Sequence, residues 1–172
     1  MSGTTKYRPG DLRRRRRPGP HPCWDHLMVA PLWVAYEANL GTLLRTCDAV
    51  GACVAVPRTA HYRRALSRGN TLRRPPCLHW VDGDRVAWLE AARAEGRRVM
   101  GVELAEDAVS LAELPPARDR TIVCLGHEHF GLPEEAWPVL DGVVEIPMVG
   151  AGASLNVAVA GSLVLYRLAG LL

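Results

Sequence analysis

Two glycine-rich turns hold the polar side chains best suited to chemistry in this sequence. The apolar run 122–125 leads into a turn that holds Glu128, and the run 143–146 leads into a turn followed by Ser154 and Asn156. Turns that follow buried strands form the ligand-binding edge of α/β sheets, where a carboxylate, a hydroxyl and an amide can orient a polar group. Such turns also occur in folds without any site, so this pattern alone leaves both interpretations open.

The spacing of the glycines in these turns disfavours two common kinds of nucleotide site. Neither turn has the G-x-G-x-x-G pattern of dinucleotide-binding folds or the G-x-x-x-x-G-K-[ST] pattern of phosphate-binding loops. Glycines permit positive φ angles and let the backbone approach a ligand closely. The glycines expected to act in this way are Gly126, Gly131, Gly150 and Gly152.

Short apolar runs alternate with helical patterns along most of the chain. Strands are predicted at 26–35, 53–56, 78–81, 98–104, 122–125 and 143–146. Helices are predicted at 40–50, 84–95 and 155–172, with short helical or turn segments at 110–114 and 133–140. The alternation predicts an α/β fold with a mainly parallel sheet flanked by helices. The last helix approaches the length of a membrane span, but polar residues interrupt it, so we interpret it as a buried or dimer-interface helix.

Three short motifs occur in order along the chain. The first is N-x-G-x-x-x-R at 39–45, and the second is LGHE followed by GLPEE at 125–135. The third combines IPM at 146–148 with SLNVAVA at 154–160. Together they resemble the motifs of the SpoU/TrmH branch of the SPOUT RNA methyltransferases, and the resemblance covers about residues 25–172. Taken alone, Arg45 would be expected to pair with Asp48 on the same helix; within the motif, it is a candidate functional residue.

The resemblance implies a C-terminal trefoil knot that binds S-adenosylmethionine, in a homodimer with its site at the interface. Main-chain groups would hold the adenine and ribose, and apolar side chains would pack against the ring. No metal is implied. The residues assigned to the cofactor pocket are Val102, Glu103, Leu104, Leu125, Gly126, Ile146, Met148, Ser154, Leu155 and Asn156.

The reaction that the resemblance implies is methyl transfer to a ribose 2′-hydroxyl of tRNA or rRNA. The methyl sulfonium is already a strong electrophile, so the protein must align the hydroxyl and help to remove its proton. Arginine stays protonated in proteins, so we expect Arg45 to orient the ribose or its phosphate and to act electrostatically. The residues assigned to catalysis are Asn39, Arg45, Glu128, Ser154 and Asn156.

Basic residues are concentrated in two segments of the chain. The net charge is +3, but residues 1–20 carry +6, residues 58–74 carry +6 and the remainder carries −9. This distribution predicts an RNA partner. Residues 1–22 are predicted to form a disordered basic tail, followed by a methyltransferase domain at 23–172. The candidate RNA-binding residues are Arg13, Arg14, Arg15, Arg16, Arg17, Arg63, Arg64, Arg68, Arg73 and Arg74.

Alternatives remain for both basic segments, which could be a solvated tail and a solvated surface loop without a partner. In the second segment His61 and Tyr62 lie among the arginines, and aromatic groups beside guanidinium groups suit stacking on RNA.

The five cysteines are widely spaced, and no C-x-x-C pair occurs. This spacing indicates neither a zinc site nor a disulfide framework. Cys47, Cys53 and Cys124 are expected to be plain buried thiols. No secretory signal pattern is present, so the reducing cytoplasm is the expected compartment.

The second motif departs from the family at three positions. His127, His129 and Phe130 stand where small or polar residues are common, and they could alter the fit to RNA or be neutral. Two other functions stay open. A non-catalytic RNA-binding or ribosome-assembly protein of the same fold would keep the basic segments and tolerate loss of Arg45. A Rossmann-like oxidoreductase is disfavoured by the glycine spacing.

Overall fold

Seven strands form one parallel sheet in the part of the chain that the computed structural model describes, residues 26–69, 72, 77–152 and 154–172. The strands are β1 (Leu27–Ala30), β2 (Cys53–Pro57), β3 (Leu78–Val81), β4 (Arg98–Val102), β5 (Val109–Ser110), β6 (Thr121–Cys124) and β7 (Gly142–Glu145). The helices are α1 (Glu37–Val50), α2 (Ala60–Gly69), α3 (Arg85–Ala94) and α4 (Val157–Leu168), with a 3-10 helix at Glu134–Val139. The predicted α/β fold is confirmed.

The strand order is β3-β2-β1-β6-β4-β7-β5, and every pairing is parallel. Two late strands are therefore inserted between earlier ones: β6 lies between β1 and β4, and β7 lies between β4 and β5. Because the strands are parallel, the turns that follow β1, β4, β6 and β7 meet at one edge of the sheet. This order is compatible with the knot implied by the resemblance, which stays a prediction.

The sheet is covered on both faces, so β1 is apolar throughout and the adjacent β6 is apolar except for the buried Thr121. Leu27 and Val29 of β1 point to the face covered by α1, α2 and α4, while Met28 and Ala30 point to the face covered by α3 and the 3-10 helix. All four residues of β6 are buried. Among the described residues, no helix combines the length and apolar character needed to cross a membrane.

Several predicted boundaries were wrong. The helix after β1 starts at Glu37, so Asn39 lies in its first turn and not before it. Residues 60–69 form α2, so the alternative of a surface loop is wrong for this part of the segment. The turn predicted at 110–114 is present at 111–113, but Ser110 itself ends β5. The predicted tail 1–22, together with Arg73 and Arg74, lies outside the described residues.

The strand predicted at 26–35 ends at Ala30, because the side chain of Tyr62 forms hydrogen bonds with the backbone that follows Ala30. The Tyr62 hydroxyl lies 2.9–3.0 Å from the carbonyl oxygens of Pro31, Leu32 and Val34. Burial raises the pKa of Tyr62 well above its ordinary value, so the hydroxyl keeps its proton and can donate it to these carbonyls. Tyr62 is only 3% exposed, so the expectation that it stacks on RNA was wrong.

Helices α1 and α2 cross where two glycines meet. A Cβ atom added to Gly69 would lie 2.9 Å from the Gly41 Cα, and one added to Gly41 would lie 3.1 Å from the Gly69 Cα. The glycine of the N-x-G-x-x-x-R motif thus permits close contact between two helix backbones. Glu37 adds ion pairs across the same crossing, with Arg64 at 3.2 Å and Arg68 at 3.4 Å.

We predict that Gly69→Ala destabilises the protein by about 1–3 kcal/mol, because the added methyl group meets backbone that must move. Denaturant unfolding of the purified chain measures this change. Gly150→Ala is the matched control, because a Cβ at Gly150 meets nothing within 4 Å. Equal stabilities of the two variants would contradict a tight helix crossing.

Candidate active site

A carboxylate links the turn after β6 to the start of α1. The side chain of Glu128 accepts hydrogen bonds from the backbone N–H groups of Ala35 at 2.9 Å and Tyr36 at 3.0 Å. It also accepts one from the Asn39 amide nitrogen at 2.7 Å. Glu128 projects from a turn, as the sequence predicts, and it holds the segment that leads into α1.

The same chain of hydrogen bonds continues from α1 to α4. The Asn39 side-chain oxygen accepts from the Asn156 amide nitrogen at 3.0 Å. The Asn156 oxygen in turn accepts from the backbone N–H groups of Ala158 and Val159 at 2.9 and 3.2 Å. Asn156 therefore caps α4, as its residue type predicts, and one hydrogen-bonded chain joins the three motifs.

Partial burial alone would raise the pKa of Glu128, but the donated hydrogen bonds outweigh it. The N–H groups of Ala35 and Tyr36 and the Asn39 amide stabilise the charged form, and the pKa of Glu128 lies below its ordinary value of 4.5. The carboxylate is therefore ionised at neutral pH, and its hydrogen-bonding capacity is largely used. Both properties make Glu128 a poor proton acceptor and a good positioning residue.

A cavity of about 510 Å³ opens beside the hydrogen-bonded residues Glu128, Asn39 and Asn156, at the carboxyl ends of β4 and β7. Seven of the ten residues predicted for the cofactor pocket line it. They are Val102, Glu103, Leu104, Ile146, Met148, Ser154 and Leu155. The cavity wall thus combines apolar side chains with two carboxylates, from Glu103 and Glu145, the mixture expected of a site for a small organic ligand.

The other three predicted pocket residues do not line the cavity. Leu125 is 1% exposed and packs in the core, where it lies so close to α4 that a Cβ on Gly161 would be 2.7 Å from it. Gly126 allows close backbone approach within its own loop, since a Cβ there would collide with Gly131 and Leu132. Asn156 follows the lining residues and turns its side chain to Asn39.

Of the four glycines expected to permit a positive φ or a close approach of the backbone, Gly131 alone has a positive φ. Gly131 has φ 67°, and its backbone pairs with His127 through two hydrogen bonds of 2.9 Å that close the turn around Glu128. A Cβ on Gly131 would collide with the Glu103 carboxylate, which also accepts from the Leu132 N–H at 3.2 Å. The turn and the cavity wall are thereby attached to each other.

Arg45 is not part of the hydrogen-bonded chain. Its side chain is exposed and makes no hydrogen bond or ion pair with any residue that the structure describes, including Asp48. At about 100° per residue, Arg45 points some 120° away from Asn39 around α1. Thr46 shares the Asn39 face and contacts Ser162 of α4 through its hydroxyl at 2.7 Å.

An exposed aromatic cluster borders the Glu128 turn. Phe130 is 83% exposed and Tyr36 is 53% exposed. The Tyr36 hydroxyl lies 2.8 Å from the His129 ring nitrogen Nε2, and the rings of His127 and Phe130 are 4.8 Å apart. The three residues that depart from the family pattern thus form one surface with Tyr36.

The described RNA-binding candidates lie on α2 and have partners within the protein. Arg64 and Arg68 pair with Glu37, and the guanidinium of Arg63 lies 5.9 Å from the centre of the Trp80 ring. Arg64 and Arg68 are 54% and 69% exposed. Ion pairs at such exposure contribute little to stability, so a phosphate can replace Glu37 at low cost.

Sequence reasoning missed the residues that support this site from a distance. Tyr62 holds the loop that presents Ala35 and Tyr36, and Thr46 and Ser162 join α1 to α4. None of these residues lies in a recognisable motif. Helical spacing offered one usable signal, because Asn39 and Thr46 fall on one face of α1.

Residues 27–166 match the SpoU rRNA Methylase family. The chain therefore belongs to this family, which confirms the resemblance carried by its three motifs. It is 29% identical, over 97% of its own length and 70% of the relative's, to the tRNA (guanosine(18)-2′-O)-methyltransferase of Escherichia coli K12.

Solved structures agree with this assignment. The A. aeolicus TrmH/SpoU tRNA modifying enzyme superposes with a TM-score of 0.70 at 25% identity, over 86% of this chain and 75% of that one. A structure described as giving insights into the 2-OH methylation of C/U34 on tRNA superposes with a TM-score of 0.67 at 28% identity. The match spans 86% of this chain and 97% of that one.

We predict that Glu128→Gln lowers the free energy of unfolding by about 1–2 kcal/mol at neutral pH, because three donors lose a charged acceptor. The pKa of Glu128 is lower in the folded protein than in the unfolded one. Its stabilising effect is therefore complete above about pH 4.5 and disappears as the pH falls through the folded value.

Denaturant unfolding of the wild-type protein and the variant, from neutral pH down to about pH 3, measures this difference. The control is Glu135→Gln, which removes an exposed carboxylate outside the hydrogen-bonded chain. A difference between wild type and Glu128→Gln that stays constant over the whole pH range would contradict the role of the charge.

Proposed function

We propose that this chain is an S-adenosylmethionine-dependent RNA methyltransferase that methylates a ribose 2′-hydroxyl of tRNA or rRNA. One observation carries the proposal: the Glu128–Asn39–Asn156 chain joins the three family motifs beside an open cavity. The relative from E. coli is named for 2′-O-methylation of a tRNA guanosine, which makes tRNA the first substrate to test. The cytoplasm remains the expected compartment.

The residues around the cavity fit S-adenosylmethionine. Apolar side chains of Ile146, Met148 and Leu155 offer contact for an adenine ring, and the Glu103 carboxylate can accept from ribose hydroxyls. When bound, the cofactor supplies an activated methyl group. Ser154 lies on the wall of the cavity next to the capped start of α4, so it can orient a polar group of the cofactor or of the RNA.

The protein's own contribution to the reaction is alignment and electrostatics. Glu128 fixes the Asn39 side chain, so that the first turn of α1 has a defined position next to the turn after β6. Arg45 carries a guanidinium with five donors and no acceptor. It can hold a phosphate or the developing charge on the ribose oxygen, but it cannot readily take up the proton.

A homodimer explains why Arg45 points away from the rest of its own site. Exposed apolar side chains lie on and around α4, including Val159 at 44%, Leu171 at 57% and Leu172 at 61%. Pairing of two copies through this region would cover them. We propose that the guanidinium of Arg45 then acts at an interface shared by the two chains.

We expect Arg45→Ala to lower the rate of methyl transfer by about 10²–10³-fold, the usual effect of losing one such donor. The assay follows labelled methyl from S-adenosylmethionine into separated tRNA and rRNA that lack the modification. A 2′-O-methyl group makes the adjacent phosphodiester resistant to alkali, which distinguishes it from methylation of a base.

Two further variants serve as controls for this assay. Arg118→Ala removes an exposed arginine without a known role and should keep the wild-type rate. Arg45→Lys keeps the positive charge but removes the guanidinium group. A near wild-type rate in this variant would contradict a requirement for the planar guanidinium geometry. Cofactor binding without label in either RNA fraction would indicate a missing partner or precursor RNA, whereas no cofactor binding at all would favour the non-catalytic alternative. Sedimentation of a fully active monomer would contradict the shared interface.

We further predict that Phe130→Ala raises the KM for RNA on the order of tenfold, because base–aromatic stacking contributes about 1–3 kcal/mol per base. Phe130 is exposed next to the Glu128 turn but makes no bond within the hydrogen-bonded chain. The kcat should therefore change little. Val109→Ala is the control, as an exposed apolar side chain on the edge strand β5. An unchanged KM would exclude this surface from RNA binding.

A further inference from the structure

We infer that Cys53, Cys77 and His79 form a binding site for a zinc ion, at the end of the sheet opposite the candidate active site. The possible ligand atoms of the three residues, two sulfur atoms and one imidazole nitrogen, all lie within 4.8 Å of one another. Cys77 Sγ is 3.3 Å from His79 Nε2. This site is independent of the proposed methyl transfer.

Parallel strand pairing brings the three donors together. Val54 of β2 lies opposite Leu78 of β3, so Cys53 lies opposite Cys77, and the Val54 N–H donates to the Cys77 carbonyl at 2.9 Å. Residues 77 and 79 are two apart, so they point to the same face of the sheet. Cys53 and Cys77 pack with the apolar residues on that face, which α3 covers.

The distances suit tetrahedral zinc. Bond lengths of about 2.3 Å to sulfur and 2.0 Å to nitrogen place sulfur and nitrogen ligands roughly 3.5 Å apart, and two sulfur ligands slightly farther apart. The observed spacing therefore needs only small side-chain adjustments. Two thiolates and an imidazole favour zinc over hard cations such as magnesium or calcium, which prefer oxygen ligands.

A water molecule can supply the fourth ligand. His79 also lines a cavity of about 420 Å³, whose wall includes Trp80, Trp88 and Glu95. Cys53 is buried, while Cys77 and His79 are half-buried, so the ion can enter from this side. Each thiol releases its proton to solvent when the ion binds, because thiolate is the ligand form.

The position of the cluster indicates a structural role. Cys53 begins β2 and Cys77 precedes β3, so an ion there would link the start of β2 to the start of β3. The β2–α2–β3 unit carries Arg63, Arg64 and Arg68. The methyl-transfer cavity lies at the carboxyl ends of β4 and β7, so the ion would stabilise the fold and would not touch the reacting groups.

The first experiment measures metal in the full-length chain, purified under reducing conditions, loaded with zinc and dialysed. We expect one zinc per chain, and replacement by cobalt should give intense thiolate-to-cobalt absorption with the visible bands of a tetrahedral site. Cys77→Ser and His79→Gln should lose the bound ion. Cys124→Ala, which removes a buried thiol from β6, should keep it.

A second measurement uses the wild-type protein alone, in case the ligand variants fail to fold. A chelator should lower the midpoint of thermal unfolding, and added zinc should restore it. No stoichiometric zinc in the folded wild-type protein, or an unfolding midpoint that chelator does not change, would overturn the inference. A Cys53–Cys77 disulfide in the reduced preparation would overturn it as well. Neither measurement depends on methyl transfer.

Discussion

The ionised carboxylate of Glu128 is the group on which the geometry of the candidate active site depends. A carboxylate can only accept hydrogen bonds, so the Asn39 amide must turn its nitrogen toward Glu128. The Asn39 oxygen is then left to accept from Asn156, and the Asn156 oxygen is left to cap α4. One charge therefore sets the direction of every later hydrogen bond and positions three segments that are distant in sequence.

This series of hydrogen bonds can form only because the backbone segments around it approach one another closely. Gly126 and Gly131 close the turn that carries Glu128, and Gly41 and Gly69 let α2 lie directly on α1. Since α2 carries Tyr62, the same crossing places a hydroxyl under the loop that presents the Ala35 and Tyr36 N–H groups. The geometry of this site thus rests on missing side chains as much as on the polar groups that are present.

Local sequence patterns predicted the elements that are long or uniformly apolar. They failed where a contact with a residue distant in sequence determines where an element begins or ends. Strand β3 has the predicted bounds, and α3 differs from its prediction by one residue at each end. The end of β1 depends on Tyr62, which lies about thirty residues away, and no local pattern contains that information. Likewise, the arginines of α2 led to the interpretation of this segment as a polar surface segment. In the structure, however, Tyr62, Ala65 and Leu66 form a buried stripe along the helix.

The site residues named from the motifs divide in the structure into two groups with different physical tasks. The side chains of Asn39, Glu128 and Asn156 use most of their hydrogen-bonding groups within the protein, so they have few left to bind a substrate. Ser154 and Arg45 are exposed and have no partner among the described residues, so they are available to ligands. When bound, S-adenosylmethionine would supply an activated methyl group, so the protein would chiefly have to align the hydroxyl and stabilise the charge that develops on its oxygen. A site that supplies alignment and positive charge, and leaves the proton to solvent or to the RNA, is therefore sufficient for the proposed reaction.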